Sequence, residues 1–562
     1  MRTLFIRIIM IGLALLALTG GAFAQEAASL PNGVAAGDVT QISAVLWTRS
    51  TAPGTVTFEV DRDANFAKPL ATASAEAADP LLPVKVQITD LAPGTRYFYR
   101  ATNAAGESAV GVFRTPAAAG RRTGLRFGVT GDWRGDLAPY PSVRNAAERE
   151  LDFFVLHGDT IYADYPSPAL PAGQAITLDD FRAKHAEVYG ESHGLNAWAA
   201  VRASTAIFAT IDDHEVTNDF AGGAAPDTDI RFRGDPAALI NDSQLYENGL
   251  QAFQEYNPLN DEFYDDTGDP RTAGERRLYR FRTFGDDAAI FVLDARSFRD
   301  PSLPNVSEFT SEQILPFIAA TYEPGRTMLG AAQLADLKAD LLRAQSWGIT
   351  WKFILIPEPA QNLGPLNAGD RFEGYAAERA ELLQHIVDNA ITNVVFVAAD
   401  IHGTLVNNLT VADGPGAPQQ PTGAFEISTG SAAFDAPLGP TVMDLALGLG
   451  FVTQQQANLY TLAPAALKEN FITQLVNGQI EPFGYDPVGL DGSEVDAELV
   501  KGGYLATSSY GWTEFQIDAA TQQLRVTTYG IPYYTAKQLA DAPEKVVALQ
   551  PAVVSEFTVN PQ

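Results

Sequence analysis

The sequence predicts a two-part fold, in which a small β-sandwich precedes a larger α/β domain. Two observations within the 562 residues support this division. From about residue 30 to residue 116, apolar and polar residues alternate in short runs separated by proline, glycine and aspartate, as in β-strands joined by turns. After residue 123, short apolar runs alternate with stretches of helical periodicity, a pattern typical of a parallel sheet covered by helices.

The first 24 residues have the composition of a secretory signal peptide. Arg2 and Arg7 precede an apolar run over residues 8–18, and Ala22-Phe23-Ala24 forms a small-x-small cleavage pattern. The apolar run is too short to span a bilayer comfortably. We therefore expect an exported protein, periplasmic or extracellular, that has no transmembrane segment after cleavage.

The chain contains no cysteine and has a formal net charge of −30. The missing cysteines exclude disulfides and thiolate ligands. The negative charge repels nucleic acid and anionic membranes, so no nucleic-acid site is expected; the sequence gives no indication of oligomeric state. If the substrate is itself an anion, its binding requires locally concentrated positive charge, which bound metal ions and a few arginines would supply.

The N-terminal domain is expected over residues 28–116. Val56, Phe58 and Val60 alternate with polar residues, which is typical of a half-buried strand. The run from Leu91 to Tyr97 resembles the corner of fibronectin type III domains, in which a tyrosine hydroxyl bonds to the preceding turn. An alanine-rich linker over residues 115–123 follows.

The α/β domain is expected over residues 124–540, with a C-terminal tail over 541–562. Two long segments, 221–276 and 442–499, fit neither strand nor helix units, and we expect surface insertions there. The segment 442–499 is expected to be a lid or rim that shapes access of the substrate. The candidate strands are 125–130, 152–157, 206–211, 288–293, 351–356 and 393–398, and the candidate helices are 143–150, 332–344 and 376–388.

Five of the predicted strands are followed by polar side chains that can bind cations. A single carboxylate in this place often caps the next helix. Two of the five ends combine aspartate with histidine, however, as mixed-ligand transition-metal sites do. Together they offer enough ligands for two metal ions that share a bridging carboxylate. The polar side chains are Asp132 and Arg134, Asp159 and Tyr162, Asp212 to Glu215, Glu358 to Asn362, and Asp400 with His402.

The order of these motifs resembles the calcineurin-like metallophosphatases, and within them the alkaline phosphatase D-like family. That fold is an α/β/β/α sandwich, which the resemblance implies here. The resemblance covers nearly the whole mature chain. Its motifs are Gly131-Asp132, Gly158-Asp159-x-x-Tyr162, Asp212-Asp213-His214-Glu215 and Asp400-x-His402, with Asn32 to Asp38, Leu293 to Arg299 and Ser509 to Trp512 as further signatures.

The resemblance implies two metal ions bridged by Asp159. A phenolate ligand accompanies ferric iron in such enzymes, and calcium suits an oxygen-rich second site. Fe³⁺ with Ca²⁺ is therefore favoured. These enzymes often have a cysteine ligand to iron, which this chain lacks, so Zn²⁺ and Mn²⁺ are alternatives. The implied ligands are, for metal one, Asp132, Asp159, Tyr162 and His402, and for metal two, Asp159, Asp213 and Asp400.

Four more side chains are candidates at the same site. Glu358 stands where related enzymes place a metal-binding histidine, and could complete metal two or contact its ligands. Arg134 stands where many of them have a histidine; because its guanidinium cannot bind a metal, we expect it to hold a phosphate oxygen, and Arg296 is a second candidate for this role. His214 matches a histidine expected to stabilise negative charge or protonate the leaving alkoxide.

The sequence thus predicts an enzyme that hydrolyses phosphate esters, with a water activated by two metals attacking phosphorus in line. Its substrate would be a small-molecule or polymeric phosphate ester, and both alkaline phosphatase and phosphodiesterase activity fit this chemistry. The alternative is a non-catalytic, calcium-dependent exported binding protein, which the acidic composition favours. Histidines at two strand ends argue against it, because calcium sites use oxygen ligands.

Overall fold

The structure, a computed structural model, describes residues 29–562. The predicted signal peptide, residues 1–24, lies outside the described residues. Among residues 29–562, no helix has the length and apolar composition needed to cross a membrane.

The described chain forms three β-sheets and eleven α-helices. The strands are β1 Val34–Gly37, β2 Ala44–Thr48, β3 Gly54–Asp61, β4 Ala71–Ala77, β5 Val84–Ile88, β6 Arg96–Thr102, β7 Ser108–Arg114, β8 Leu125–Trp133, β9 Phe153–His157, β10 Ala206–Thr210, β11 Arg280–Phe284, β12 Ala288–Val292, β13 Trp351–Leu355, β14 Val394–Ala398, β15 Thr404–Val411, β16 Gln420–Ser428, β17 Ser431–Ala433, β18 Ala497–Lys501, β19 Leu505–Ala506, β20 Ser509–Ile517, β21 Leu524–Pro532 and β22 Ala552–Val559. The helices are α1 Leu178–Val188, α2 Ala197–Ser204, α3 Gln244–Tyr256, α4 Ser311–Thr321, α5 Ala331–Ser346, α6 Ala376–Asp388, α7 Leu438–Gly448, α8 Gln454–Leu462, α9 Ala465–Ile480, α10 Ala536–Asp541 and α11 Pro543–Val547.

Two of the sheets pack face to face and form the centre of the molecule. An eleven-stranded sheet has the order β18-β22-β21-β20-β8-β9-β10-β1-β2-β5, with β17 beside β8, and a seven-stranded sheet has the order β11-β12-β13-β14-β16-β15-β19. Between them, the ring of Phe127 lies 4.9 Å from that of Phe353, which lies 5.6 Å from that of Phe515. Aromatic side chains from both sheets therefore fill the shared core.

Helices cover the outer faces of both sheets. Leu337 of α5 and Leu383 of α6 belong to one apolar cluster with Phe291 of the seven-stranded sheet. Helices α1, α2 and α3 pack in the same way on the eleven-stranded sheet, where Trp198 shares a cluster with Phe154. The predicted α/β/β/α sandwich is confirmed.

The N-terminal region shares a sheet with the rest of the protein. Strands β4-β3-β6-β7 form a separate four-stranded sheet, which packs on β1, β2 and β5. These three strands extend the eleven-stranded sheet, because β1 runs parallel to β10 with Ala36 opposite Ala206. The backbone N–H of Ala92 donates to the Tyr97 hydroxyl at 2.8 Å, so the fibronectin-like corner is present. The sandwich expected over 28–116 is thus joined to the α/β domain by continuous backbone hydrogen bonds.

Most predicted elements of the α/β domain are present, but one predicted helix is wrong. The six candidate strands appear as β8, β9, β10, β12, β13 and β14, and two candidate helices appear as α5 and α6. The segment 143–150 forms no α-helix, and its helical residues lie only in the short 3₁₀ turns Pro141–Val143 and Ala146–Glu148. Glu150 has a left-handed backbone with φ of 53°, which stops helix growth before a stable length is reached.

The C-terminal residues and the two insertions are more ordered than expected. Residues 541–562 do not form a tail: they contain α11 and β22, and β22 pairs with β21 and β18 because Phe557 and Val559 are buried. The insertion 221–276 contains α3, whose Phe253 is buried in the core with α1. The insertion 442–499 contains most of α7 and all of α8 and α9.

Candidate metal centre

The polar strand ends meet between the two large sheets. Asp132 lies at the end of β8, Asp159 follows β9 and Asp213 follows β10, and these three strands are neighbours. Glu358 follows β13 and Asp400 follows β14, which are neighbours in the facing sheet. Parallel strands end at the same edge of a sheet, where ligand sites of α/β proteins gather. The sheet order therefore brings together side chains that are far apart in the sequence.

Four of the predicted ligands have an uncommon backbone conformation. The φ angles are 59° at Asp132, 47° at Asp159, 61° at Asp400 and 55° at His402. Residues other than glycine rarely adopt this left-handed region, although aspartate and histidine tolerate it better than most. Such conformations concentrate at functional sites, where the surrounding structure holds them. The backbone at the end of β8 and in the turns after β9 and β14 therefore sets the orientation of these side chains.

One group of ligand atoms lies around Asp132. Atoms of Asp132, Asp159 and His402 lie within 4.8 Å of one another, and the Tyr162 hydroxyl lies 3.3 Å from Nε2 of His402. Both oxygens of Asp132 are buried and accept no hydrogen bond from the described residues. Buried carboxylate oxygens normally have partners. The four side chains predicted for metal one thus converge around carboxylate oxygens that have no hydrogen-bond partner among the described residues.

The electrostatics of this group fit a bound cation. Burial, Asp400 and Asp212 raise the pKa of Asp132 well above its ordinary value. Burial and Asp159 likewise raise the pKa of the Tyr162 phenol. Burial lowers the pKa of His402 to about 3, which keeps its imidazole neutral and able to bind a metal. A metal ion would reverse the carboxylate and phenol shifts, because it stabilises their ionised forms.

A second group of ligand atoms shares Asp159 with the first. It consists of Asp159, Asp213 and His214, again within 4.8 Å of one another. Asp159 thus belongs to both groups, which is the arrangement of a bridging ligand. Asp400, predicted for metal two, is not part of this group, although its charge acts on Asp132. His214, predicted to lie outside the metal ligands, is within reach of the second position.

The imidazole of His214 is held by an aspartate that the sequence analysis did not identify. Nδ1 of His214 lies 2.6 Å from Oδ1 of Asp164, whose other oxygen accepts from the backbone N–H of Asn218 at 2.8 Å. Burial alone would lower the pKa of His214, but Asp213 and Asp164 outweigh burial and raise it to about 9. Since Nδ1 is occupied by Asp164, only Nε2 can act on another group.

Glu215 connects two of the turns that carry ligands. Its carboxylate accepts from the backbone N–H of Thr160, in the turn after β9, and from that of Asp212 at 2.8 Å, in the turn after β10. Glu215 therefore fixes the separation between the turns of Asp159 and Asp213. Its position as the last residue of the Asp-Asp-His-Glu motif was the sequence signal that could have identified it.

Arg296 and Glu358 form a buried network behind the ligands. Arg296 is 0% exposed; its Nε lies 2.6 Å from Oδ1 of Asp212, and its other nitrogens pair with Glu358 and with Asp370 at 2.7 Å. Glu358 also pairs with Arg299 at 3.0 Å and belongs to neither ligand group. The burial of Arg296 among carboxylates does not favour its expected phosphate contact. Oε1 of Glu358 faces the two arginines, whereas Oε2 is buried without a hydrogen-bond partner among the described residues, so metal binding by Glu358 stays a prediction.

Arg134 lies at the rim of the centre. Its guanidinium forms two hydrogen bonds of 2.7 Å to Asp136. It lies over the rings of Tyr165 and Phe434, at 5.2 and 5.6 Å from their centroids. Phe434 in turn stacks on His402 at 3.7 Å. Arg134 and two aromatic rings therefore form one wall beside metal position one.

The fold and this centre define an α/β protein of the metallophosphatase kind, and comparisons with known proteins specify its family. The profile of the PhoD-like phosphatase family matches residues 131–466, and that of the PhoD-like phosphatase N-terminal domain matches residues 16–117. The first match alone covers more than half of the chain. The chain belongs to the PhoD-like phosphatase family.

Two relatives illustrate this membership. Alkaline phosphatase D of Bacillus subtilis (strain 168) is 28% identical over 412 residues, which span 67% of this chain and 65% of that relative. A solved structure of PhoD superposes with a TM-score of 0.68 at 20% identity, over 94% of this chain and 90% of that one. The superposition supports the fold described above.

Proposed function

We propose that this protein is an exported, metal-dependent hydrolase of phosphate esters. The observation that carries the proposal is the pair of ligand groups that share Asp159, next to the oxygens of Asp132, which accept no hydrogen bond from residues 29–562. Family membership agrees with it. Metal ions bound there would lower the pKa of a water nucleophile and neutralise charge on the phosphoryl oxygens. Export rests on the signal-peptide pattern of residues 1–24.

The ligands divide between two metal positions. We assign Asp132, Tyr162 and His402 to the first position and Asp213 with Asp400 to the second, with Asp159 between them. The first position offers three anionic oxygens and one nitrogen, a donor set that suits Fe³⁺. The second is rich in oxygen and suits Ca²⁺. Zn²⁺ and Mn²⁺ are the alternatives, and metal analysis of the purified protein distinguishes them.

His214 is assigned the transfer of a proton to the leaving alkoxide. Asp164 holds Nδ1 at 2.6 Å, which directs Nε2 away from that carboxylate. Asp213 and Asp164 raise the pKa of His214 to about 9 against the effect of burial. Asp164 is assigned to neither metal, so its effect, which favours a protonated imidazole, persists when metal ions are bound. A protonated imidazole can both stabilise an anionic oxygen and donate to it.

Arg134 is assigned the contact with a phosphate oxygen. Its two bonds to Asp136 fix the plane of the guanidinium, and its position between Tyr165 and Phe434 limits its rotation. A fixed guanidinium recognises phosphate with little loss of side-chain entropy. Arg296 is not assigned this role, because its guanidinium is buried among the carboxylates of Asp212, Glu358 and Asp370.

Hydrolysis of chromogenic phosphate esters tests the proposal directly. We expect the purified protein to cleave p-nitrophenyl phosphate, bis-p-nitrophenyl phosphate or both. Activity should disappear after chelation and return when metal ions are added back. Protein with full metal content that cleaves neither ester would contradict the proposal and favour the calcium-dependent binding protein instead.

Replacing His214 with alanine should lower kcat by roughly a hundredfold to ten-thousandfold while metal content stays nearly unchanged. Asp164→Asn should also lower kcat, by roughly ten- to a hundredfold, because Asp164 contributes only by holding the His214 imidazole. Steady-state kinetics and elemental analysis of both variants measure this. His385→Ala, a histidine on α6 away from the centre, is the matched control. Loss of one metal from the His214 variant would show that His214 is a ligand.

If Tyr162 binds Fe³⁺ as a phenolate, the active protein should be coloured. Charge transfer from phenolate to ferric iron absorbs visible light, whereas Zn²⁺, Ca²⁺ and Mn²⁺ sites lack this band. A free tyrosine has a pKa of about 10, so only a strongly charged cation holds it ionised at neutral pH. The visible spectrum of Tyr162→Phe should lack the band, and a colourless, fully active wild type would exclude the ferric assignment.

A further inference from the structure

A buried lysine on α1 holds the turn that follows Asp164. Lys184 is 2% exposed, and its ammonium donates to the backbone carbonyl of Tyr165 and, at 2.9 Å, to Oγ of Ser167. Both acceptors are neutral, so these bonds fix the path of the backbone rather than compensate a charge. Lys184 thus ties α1 to residues 165–167, which we call the lysine-held turn.

Helix α1 is a firm support for this lysine. Its first turn is closed by a capping box between Thr177 and Asp180. Arg182 forms two hydrogen bonds to Glu255 of α3, at 2.7 and 2.8 Å, and the side chain of Phe181 is fully buried. Such a two-point contact between guanidinium and carboxylate fixes geometry as well as charge. The ammonium of Lys184 is therefore held in place from the helix side.

The lysine-held turn continues directly from two side chains of the candidate centre. Tyr162 is assigned to metal one, and Asp164 lies 2.6 Å from Nδ1 of His214. The backbone N–H of Ala163, between them, donates to the carbonyl of His214 at 2.9 Å. Because the Tyr165 carbonyl is only one residue from Asp164, its position influences the direction from which the carboxylate reaches the imidazole.

We propose that Lys184 is a positioning residue for the proton donor His214, because it holds the turn that keeps Asp164 on Nδ1. This inference depends on the proposed function, in which His214 protonates the leaving group. At 2% exposure Lys184 cannot itself reach a substrate, so it acts through the turn. Removal of the ammonium leaves the Tyr165 carbonyl without this donor and allows the turn to relax. Small displacements of such supporting groups are costly in active sites.

The leaving group of the substrate tests this proposal. A p-nitrophenolate ion departs without a proton, whereas the alkoxide of a glycerol ester needs one. Lys184→Met should lower kcat for a glycerol phosphate ester by roughly ten- to a hundredfold, and much less for a p-nitrophenyl ester of the same class. KM and metal content should stay near those of the wild type. A purely structural loss would slow both esters by the same factor.

Lys352→Met is the matched control. Lys352 is also 2% exposed and donates to neutral acceptors, Gln345 at 2.6 Å and the carbonyl of Thr392 at 3.1 Å. It lies near the start of β13, at the opposite end of the strand from Glu358. The control should leave the ratio of the two kcat values unchanged. Amide hydrogen exchange over residues 163–170 should become faster in Lys184→Met and not in the control.

A milder variant and a double variant complete the test. Ser167→Ala removes one acceptor of the ammonium and should shift the ratio of kcat values in the same direction by a smaller factor. Lys184→Met added to Asp164→Asn should lower kcat for the glycerol ester no further than Asp164→Asn alone, because both act through one contact. Additive losses, or unchanged ratios in both Lys184→Met and Ser167→Ala, would overturn the proposal.

His214→Ala separates a failure of this inference from a failure of the proposed function. If that variant slows the two esters equally, the proton transfer assigned to His214 is wrong, and the positioning role with it. If it slows the glycerol ester selectively while Lys184→Met does not, the proton transfer stands and only the positioning role is wrong.

Discussion

Replacing Asp159 with alanine should remove both metal ions and lower phosphate-ester hydrolysis by roughly a thousandfold or more. Asp159 belongs to both groups of ligand atoms, so one substitution removes a ligand from each position. Metal ions contribute several kcal/mol to charge stabilisation in such reactions, and about 1.4 kcal/mol corresponds to a tenfold change in rate.

Elemental analysis and kinetics of the purified variant measure this result. Asp152→Ala is the control: Asp152 is half-buried and precedes the same strand, β9, at its opposite end. The control should keep both metals even if it melts at a lower temperature. If Asp159→Ala retained one metal per protein, Asp159 would be a ligand of a single position, and the bridge would be wrong.

Replacing Arg296 with methionine should destabilise the protein by about 3–5 kcal/mol, because it leaves buried carboxylates without their cation. Asp212, Glu358 and Asp370 all pair with this guanidinium. Arg296 itself has no exposed surface. Its removal is therefore expected to act first on folding, and on activity only through the displaced ligands.

Thermal melting together with substrate kinetics separates this structural role from a role in phosphate binding. Arg134→Met is the matched control, because Arg134 lies at the rim with most of its bonds to Asp136. It should raise KM with little change in melting temperature. An Arg296→Met protein that melts like the wild type and shows only a raised KM would restore the phosphate contact predicted from the sequence.

The sequence was most informative where a short apolar run ends in a polar side chain. Phe153 to Leu156 are all buried, and such a run indicates a strand whether or not its neighbours are known. The residues after the strand, here Gly158 and Asp159, then lie at the edge of the sheet, because the strand ends there. This is why the strands before Asp132, Asp159, Asp213 and Asp400 could be predicted, together with the place where their ends meet.

Contacts between distant segments could not be predicted in this way. The pair of His214 and Asp164 joins residues 50 positions apart, and no periodicity links them. Arg296 pairs with carboxylates because it is fully buried. The sequence does not show this burial, and an exposed arginine at the same place would be available to bind phosphate. Likewise, the sequence pattern of residues 553–559 alone does not distinguish a strand from a tail. The strand follows from pairing with β21 and β18, which the sequence does not reveal.

The pairing of β1 with β10 and of β8 with β20 has a consequence for the order in which the protein assembles. In β1, Ala36 pairs with Ala206 of β10, and in β8, Leu125 pairs with Ile517 of β20. Neither pair can form until the later of its two segments is available. Pairings between such distant segments form slowly, because a long loop must close first. Strand β8, which carries Asp132, thus lacks its neighbour β20 until residues 509–517 are available, near the end of the chain. We therefore expect the sheet that carries Asp132 to be completed late in folding, and the metal ions to be acquired in the compartment where the finished chain folds.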